Sequence, residues 1–459
     1  MSVNTDTSQG KASVYYIYLI SFVAATGGFL FGYDLSIISG ALIFLESHFE
    51  LDSAAKGAAV SSAIFGSIAG PLFGMYLTDA LGRRKTLAIA SICFMVSAIG
   101  TALPQDLITF CIWRAIGGVG VGLAAMTSPM YIAEISPPHL RGRLVTVNQL
   151  AIVLGINFAV FASYLLSFGE HWRWMFASEV VPILFLMVGL CFVPRSPRWL
   201  IAKGKFDEAL GVLTKINGAQ QAKKESEEIR AELDTETGSL KELFSTVLRK
   251  PLIIGVVIMI FSQVNGVNMM LVYGPSILVE ANIGSSSDAI FFTIFLNLII
   301  LISTIIAFAL VKRYGRRPIL MFGVSGMAIG HLIMASVFFL DGSSFLNLAA
   351  MFIAAGSFTL SLAPLSWIIV SEIFPNRIRG KAVSLVCFVL YLSSFVCAQS
   401  FPLITDTFQK HMNHPGGAYL IFAGICISCV LFCWRFLPET KGIPLEKMGE
   451  FWEDQHKAR

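Results

Sequence analysis

The sequence predicts an all-α membrane protein with about twelve transmembrane helices, arranged as two six-helix bundles with a cytoplasmic helical linker. Three observations carry this prediction. The chain is more apolar than a soluble domain, its apolar runs form two sets of six around one polar stretch, and a pair of basic motifs occurs twice. Together these observations indicate a duplicated half that is embedded in a membrane.

The composition indicates that lipid is the solvent of most of the chain. Of the 459 residues, 55% are hydrophobic and only 14% are charged, whereas a soluble domain has about 25% charged residues. One water-soluble globule could not bury this much apolar surface. The net charge of +4 is small and the basic residues lie in loops, which favours membrane orientation and argues against binding to nucleic acid.

Twelve apolar runs are long enough to cross a bilayer, which takes about 20 residues. These predicted spans, numbered 1 to 12, cover 16–45, 57–78, 86–103, 107–132, 145–167, 174–194, 251–280, 289–311, 318–340, 346–370, 382–405 and 417–437. The predicted domains are an N-terminal bundle (1–194), a linker (195–250), a C-terminal bundle (251–438) and a cytoplasmic tail (439–459). The charged pattern of the linker predicts two or three short helices.

The repeated motifs lie in short loops between spans. The sequence DALGRRK at 79–85 is repeated as KRYGRRP at 312–318, and EISPPHLRGR at 134–143 is repeated as EIFPNRIRGK at 372–381. The second copies begin 233 (312 minus 79) and 238 (372 minus 134) residues after the first. Alternating spans place all four loops on one face, which the excess of Lys and Arg predicts to be cytoplasmic, with both termini. We expect a multi-pass protein of the plasma (inner) membrane.

We expect neither an enzyme nor a cofactor. The eight cysteines lie almost entirely inside apolar runs, and although Cys426, Cys429 and Cys433 share one helix face, they lack nearby His or carboxylate ligands. Small buried hydrophobic residues are the favoured interpretation, so no metal is expected. His331 lies alone in span 9, where packing or an interhelix hydrogen bond is favoured over titration.

A larger set of motifs, in this order, resembles the sugar porter family of the major facilitator superfamily, over about residues 14–446. The motifs are Gly82-Arg83-Arg84, Arg114, Pro129–Glu134, Arg141-Gly142-Arg143, Ser196–Leu200, Gly266-Val267-Asn268, Gly315-Arg316-Arg317, Glu372–Pro375, Arg379-Gly380 and Pro438–Gly442. Within the family, the runs 117–126 and 172–179 are similar to those of bacterial pentose– and hexose–proton symporters, especially the xylose type.

The resemblance implies the major facilitator fold, in which two bundles rock about a central site that opens to one side at a time. It implies proton-coupled import of a monosaccharide such as xylose, arabinose, galactose or glucose, by a monomer in a lipid bilayer. Glycine and proline at Gly27-Gly28 and Pro364 are expected to interrupt their spans.

The predicted proton-coupling residues are Asp34 in span 1 and Arg114 in span 4. A carboxylate buried in a membrane is costly unless it is protonated or paired, and intramembrane charges are usually functional. The resemblance implies that Asp34 takes the proton and Arg114 modulates it, since facilitative carriers of the family have Asn at the aspartate position. A static ion pair that only joins two helices is the alternative.

The predicted sugar site combines amides, which both donate and accept hydrogen bonds, with aromatic rings. The residues that match the family are Phe31, Gln149, Gln263, Asn268, Tyr273, Asn297, Trp367 and Tyr391. The pair Asn265-Gly266 predicts that span 7 unwinds between Gln263 and Asn268. Helix–helix hydrogen bonding by the amides and packing by the tryptophan are the alternatives.

The resemblance also implies a cytoplasmic gate whose ion pairs hold the two bundles together when the site faces outward. Its predicted residues are Asp79, Arg83, Arg84, Glu134, Arg141, Arg316, Arg317, Glu372, Arg379 and Glu439. Membrane orientation by the basic loops is the alternative role. The chain departs from the family pattern of charges at Arg195 and Lys312, so the network of ion pairs is expected to be weaker or rearranged. It also departs at Ser262, Ala363 and Leu390, so the identity of the transported sugar stays open.

Two other functions remain. One is a facilitative carrier of a sugar or polyol without proton coupling, in which Asp34 is structural. The other is a sugar sensor that binds without transporting, although sensors of this kind usually have a long cytoplasmic tail.

Overall fold

A computed structural model describes residues 6–233, 240–280, 284–340, 342–375, 378–439, 448 and 451–452. Within them every regular element is helical, which confirms the predicted class. Most of the predicted tail 439–459 and the side chain of Lys312 lie outside the described residues.

Twelve helical segments are long and apolar enough to cross a membrane, as predicted. Spans 1 to 12 run over Tyr15–Phe49, Ser53–Leu81, Arg83–Thr101, Leu107–Ile135, Leu140–Ser167, Trp172–Phe192, Arg249–Val272, Ser286–Val311, Arg316–Phe339, Ser344–Ile373, Arg379–Met412 and Gly416–Phe436. Between spans 6 and 7 lie the α-helices Pro197–Ala202, Phe206–Asn217 and Ala219–Leu233 and the 3₁₀ helix Leu240–Phe244. The linker is therefore helical, as predicted.

Four spans are not single helices. Span 2 consists of Ser53–Ser67, a π-helical turn Gly70–Gly74 and Met75–Leu81; span 6 of Trp172–Ala177 and Val180–Phe192; span 7 of Arg249–Val264 and Val267–Val272; span 10 of Ser344–Leu360 and Leu362–Ile373. The break in span 10 comes at Ser361, whose φ and ψ are −127° and −86°. It lies three residues before Pro364, which cannot donate the backbone hydrogen bond that a continuous helix would need.

The expected interruption at Gly27-Gly28 is wrong, because span 1 belongs to one unbroken helix, Asp6–Phe49. These glycines instead permit close packing of neighbouring helices. A Cβ atom on Gly27 would lie 2.3 Å from the Oγ atom of Ser128, and one on Gly28 would lie 2.6 Å from the Oδ1 atom of Asn148. Small residues at such contacts let membrane helices approach closely.

The two halves touch mainly near the ends of the spans opposite the basic loops, a side that we call the distal face; nearer the basic loops, Ser384 in span 11 also donates to the carbonyl of Pro71 in span 2 at 2.8 Å. Ser61 in span 2 donates to the Oε1 atom of Gln399 in span 11 at 2.8 Å, and Gln399 donates to the carbonyl of Ala54 at 3.1 Å. Ser167 and Ser287 form a hydrogen bond of 2.9 Å between spans 5 and 8. One large apolar core continues from the second half into the distal part of the first, while a second core lies within the first half and its adjoining linker helix.

Candidate functional site

Three buried charged residues of the first half form one cluster. The Nη1 atom of Arg114 lies 2.8 Å from the Oδ1 atom of Asp34, and each side chain is only 1% exposed. The Nη2 atom of Arg114 also donates to the backbone carbonyl of Asp34 at 3.1 Å. The predicted partners are therefore in direct contact.

The third member, Glu179, was missed in the sequence analysis. It is 1% exposed, interacts electrostatically with Asp34 and Arg114, and lies at the break between the two helices of span 6. A hydrogen bond of 2.7 Å between Tyr33 and Ser178 joins the residues that precede the two carboxylates. A carboxylate inside predicted span 6 was the available signal, because charges there are usually functional.

Some polar atoms of this cluster have no hydrogen-bond partner in the described part of the chain. Among the described residues, the Oδ2 atom of Asp34, the Nε atom of Arg114 and the Oε1 atom of Glu179 are buried without a hydrogen-bond partner. Two carboxylates and one guanidinium carry a net charge of −1 when all are ionised. Because burying an uncompensated charge is costly, adding one proton makes the cluster neutral.

Span 7 unwinds where the Asn-Gly pair predicts. Gly266 adopts a left-handed conformation with φ of 86°, which glycine accommodates without strain. The side chain of Asn265 accepts from the amide of Val267 at 2.9 Å and donates to the carbonyl of Ser262 at 2.7 Å. Asn265 thus stabilises the break through its side chain.

The break brings together two of the predicted sugar-site amides. The Nδ2 atom of Asn268 donates to the Oε1 atom of Gln263 at 3.0 Å, and both side chains are partly buried. On the other side of the break, the Nε2 atom of His331 lies 2.8 Å from the carbonyl oxygen of Asn265. The interhelix hydrogen bond favoured for His331 is therefore present.

The other predicted sugar residues have different surroundings. Asn297 is buried and donates to the carbonyl of Thr293 in its own helix at 2.9 Å, and the hydroxyl of Tyr273 donates to the carbonyl of Ala398 at 2.9 Å. Tyr391 is buried and Phe31 is partly buried, whereas Gln149 and Trp367 are exposed. The structure therefore shows a direct hydrogen bond within this set only for Gln263 and Asn268, and a shared site for all eight stays a prediction.

The repeated loop motifs form equivalent ion pairs. Arg83 pairs with Glu134 at 2.8 Å, and Arg316 pairs with Glu372 at 2.7 Å. Each pair lies within one half, since the first joins spans 3 and 4 and the second joins spans 9 and 10. In this arrangement these contacts strengthen the individual halves, and a latch between the halves stays a prediction.

The remaining predicted gate residues bind mainly backbone atoms near the same loops. Four arginines donate to backbone carbonyls: Arg84 to Cys191, Arg141 to Ala133, Arg317 to Trp434 and Arg379 to Phe374. Glu439 accepts from the backbone amides of Arg316 and Arg317. The carboxylate of Asp79 lies 3.5 Å from the guanidinium of Arg83. The departure at Arg195 has a partner in the linker, because its Nη1 atom lies 3.5 Å from the Oε1 atom of Glu208.

Comparison with known proteins decides the family. The model of the family described as "Sugar (and other) transporter" matches residues 20–452. This chain belongs to the sugar transporter family. Among other sugar transporters, it is 37% identical to the D-xylose-proton symporter of Escherichia coli (strain K12), over 96% of this chain and 97% of that protein. It is also 37% identical to the arabinose-proton symporter of Bacillus subtilis (strain 168), over 96% of both proteins.

A solved sugar transporter shares the fold. The structure described as an inward open conformation of the xylose transporter XylE from E. coli has a TM-score of 0.83 to this chain and 34% sequence identity. The likeness covers 95% of this chain and all of that one. This match confirms the predicted major facilitator fold.

Proposed function

We propose that this protein imports a monosaccharide together with protons across the plasma (inner) membrane by alternating access. The observation that carries the proposal is the buried cluster of Asp34, Arg114 and Glu179, which has one carboxylate more than its single guanidinium can neutralise. Such a cluster holds a proton readily in a desolvated state and releases it when water or a rearranged Arg114 stabilises the charge. The names of two close relatives, both proton symporters, support the same activity.

We further propose that the structure faces inward, with the distal face extracellular and both termini cytoplasmic. Most hydrogen bonds between the halves lie at the distal face, and the ion pairs near the basic loops lie within each half. The fold is also close to an inward open relative. The amide pair at the break in span 7 is then the part of the sugar site for which the geometric support is strongest. The sugar site is completed, when sugar binds, by the other predicted sugar residues, which include Gln149 and Trp367.

The test uses purified protein in liposomes that contain a pH-sensitive dye. Xylose, arabinose, glucose, galactose and myo-inositol are added outside, one at a time. For the native chain, we expect one of the monosaccharides to acidify the lumen. Asp34→Asn should abolish that acidification but retain exchange of labelled sugar, because Asn can still accept the hydrogen bond from Arg114 but cannot release a proton.

The matched control is Asp106→Asn. Asp106 is an exposed cap at the start of span 4, and Asn caps helices as well as Asp does. Sugar entry without acidification in the native protein would instead establish a facilitative carrier and leave Asp34 a structural role. Binding without entry would indicate a sensor.

A further inference from the structure

A polar cavity lies at the distal face, separate from the amide pair in span 7. Its volume is about 680 Å³. The first half contributes Glu46, Ser53 and Lys56 to its wall. The helix Gly274–Glu280, which follows span 7, and the distal parts of spans 9 to 12 contribute most of the remainder, including Glu280, Asn347 and Tyr419. We call it the distal cavity. Of the eight predicted sugar residues, only Tyr273 borders it.

The feature that indicates a ligand is Asn347. This side chain is 0% exposed and lines the cavity, yet neither its oxygen nor its nitrogen has a hydrogen-bond partner among the described residues. Buried polar groups are nearly always hydrogen-bonded, so an amide with both ends unpaired calls for an explanation. An amide both donates and accepts, and a ligand hydroxyl satisfies either end.

The charges of the cavity wall favour a neutral ligand. Glu46 is paired with Lys56 at 2.9 Å, and Asp406 is paired with Lys410 at 2.7 Å. These pairs neutralise two of the three carboxylates in the wall, and the third, that of Glu280, disfavours an anion. Carboxylates accept hydrogen bonds from hydroxyl groups without requiring a charged ligand.

The aromatic part of the wall suits a ligand that also has an apolar face. Tyr419 is 1% exposed and stacks on Phe338 with ring centroids 5.6 Å apart and planes within 2°. Tyr273 and Phe401 form a second ring pair at 5.0 Å. Rings beside amides and carboxylates match the apolar ring face and the hydroxyl edge of a pyranose.

We propose that the distal cavity is a second binding site for a neutral monosaccharide, exposed to the outside while the transport site faces inward. Because both halves form its wall, sugar bound there stabilises the arrangement in which they are closed. A high external concentration of sugar therefore slows the return of the transporter to the outward-facing state and inhibits uptake. The proposal rests on the proposed function for the alternating-access cycle, the inward-facing state and the choice of probe sugar.

The test measures equilibrium binding of the transported sugar to the purified full chain by titration calorimetry. We expect two sites in the native protein. The double variant Gln263→Ala/Asn268→Ala should retain only the distal site, and Asn347→Leu, which keeps the branching and the number of heavy atoms of the side chain, should retain only the central one. The distal affinity should fall at least tenfold in Asn347→Leu. Thr359→Val is the matched control, because Thr359 is a buried polar residue in the same helix whose hydroxyl already bonds to Ala355.

Uptake kinetics give an independent readout. The rate of native uptake should pass through a maximum and fall as external sugar rises, whereas Asn347→Leu should saturate without a decline. Glu280→Gln, at an exposed position, tests the same site if Asn347→Leu does not fold. In this variant the rate of uptake should begin to fall only at a higher external sugar concentration. A transported sugar that binds at a single site, or an unchanged decline in these variants, overturns this inference alone. Failure of every sugar to enter with protons overturns the proposed function.

Discussion

Gly57→Ala should disfavour the closed distal face. Gly57 lies in span 2 against Gln399 of span 11, so the contact joins the two halves. A Cβ atom on Gly57 would lie 2.6 Å from the backbone oxygen of Gln399, whereas ordinary contact begins at 3.4 Å. The helices must therefore separate by about 0.8 Å (3.4 minus 2.6) at this point.

The size of the effect follows from the rigidity of this contact. The obstructing atom belongs to the backbone of Gln399, which cannot move aside as a flexible side chain would. Overpacking of this kind costs about 1–3 kcal/mol, and an energy of that size changes an equilibrium by roughly 5- to 150-fold. Because the strain exists only while the halves are closed distally, the substitution should shift the population toward the outward-facing state by that factor.

Double electron–electron resonance between spin labels on the distal face would measure this shift in population. Labels at Gln105 and His411, both exposed and in opposite halves, report the opening. The exposed native Cys191 is first replaced by Ser, because it would also react with the label. We expect Gly57→Ala to increase the population with the longer distance.

The matched control is Gly424→Ala. This glycine also lies in a membrane helix, but a Cβ atom there would meet nothing within 4 Å. Both changes gain the same helix propensity, so only the contact between the halves distinguishes them. Equal distance distributions in the two variants would refute the argument from packing.

Three other substitutions test separate parts of the structure. Arg114→Leu leaves two carboxylates buried without their cation, so the protein should lose about 3–5 kcal/mol of stability, and thermal unfolding should reveal a much larger loss than for Arg143→Leu, at an exposed position. His331→Leu removes the partner of the carbonyl at the break in span 7, so we expect a loss of about 1–3 kcal/mol in sugar binding or stability; unchanged titrations and melting curves would contradict this. Trp452→Phe keeps the buried ring but loses the hydrogen bond of 2.9 Å to the end of span 10, so proteolysis of the tail should be faster than in Trp434→Phe, where the ring is exposed.

The parts that could be predicted from the sequence depend on local chemistry. Apolar length determines the spans, and Asn265-Gly266 predicts the break in span 7, because glycine permits the left-handed conformation there. The contact between Asp34 and Arg114 could also be predicted, since two isolated charges in the membrane favour pairing.

The remainder depends on contacts between distant elements. The ion pair of Arg195 with Glu208 requires the position of a linker helix against the end of span 6, which no local pattern determines. The role of Gly27 in close packing similarly requires the position of Ser128 in span 4. The sequence pattern alone gave the wrong result for this glycine, because a helix interruption and a close helix crossing both favour the same residue.

The unequal division of the apolar core has a consequence for the temperature dependence of transport. One core extends across the contact between the halves at the distal face, while the second lies within the first half and its adjoining linker helix. Opening the distal face to water therefore hydrates apolar surface that was dry, which raises the heat capacity. If that step limits the rate, the activation enthalpy of transport will change with temperature, and an Eyring plot of uptake will be curved.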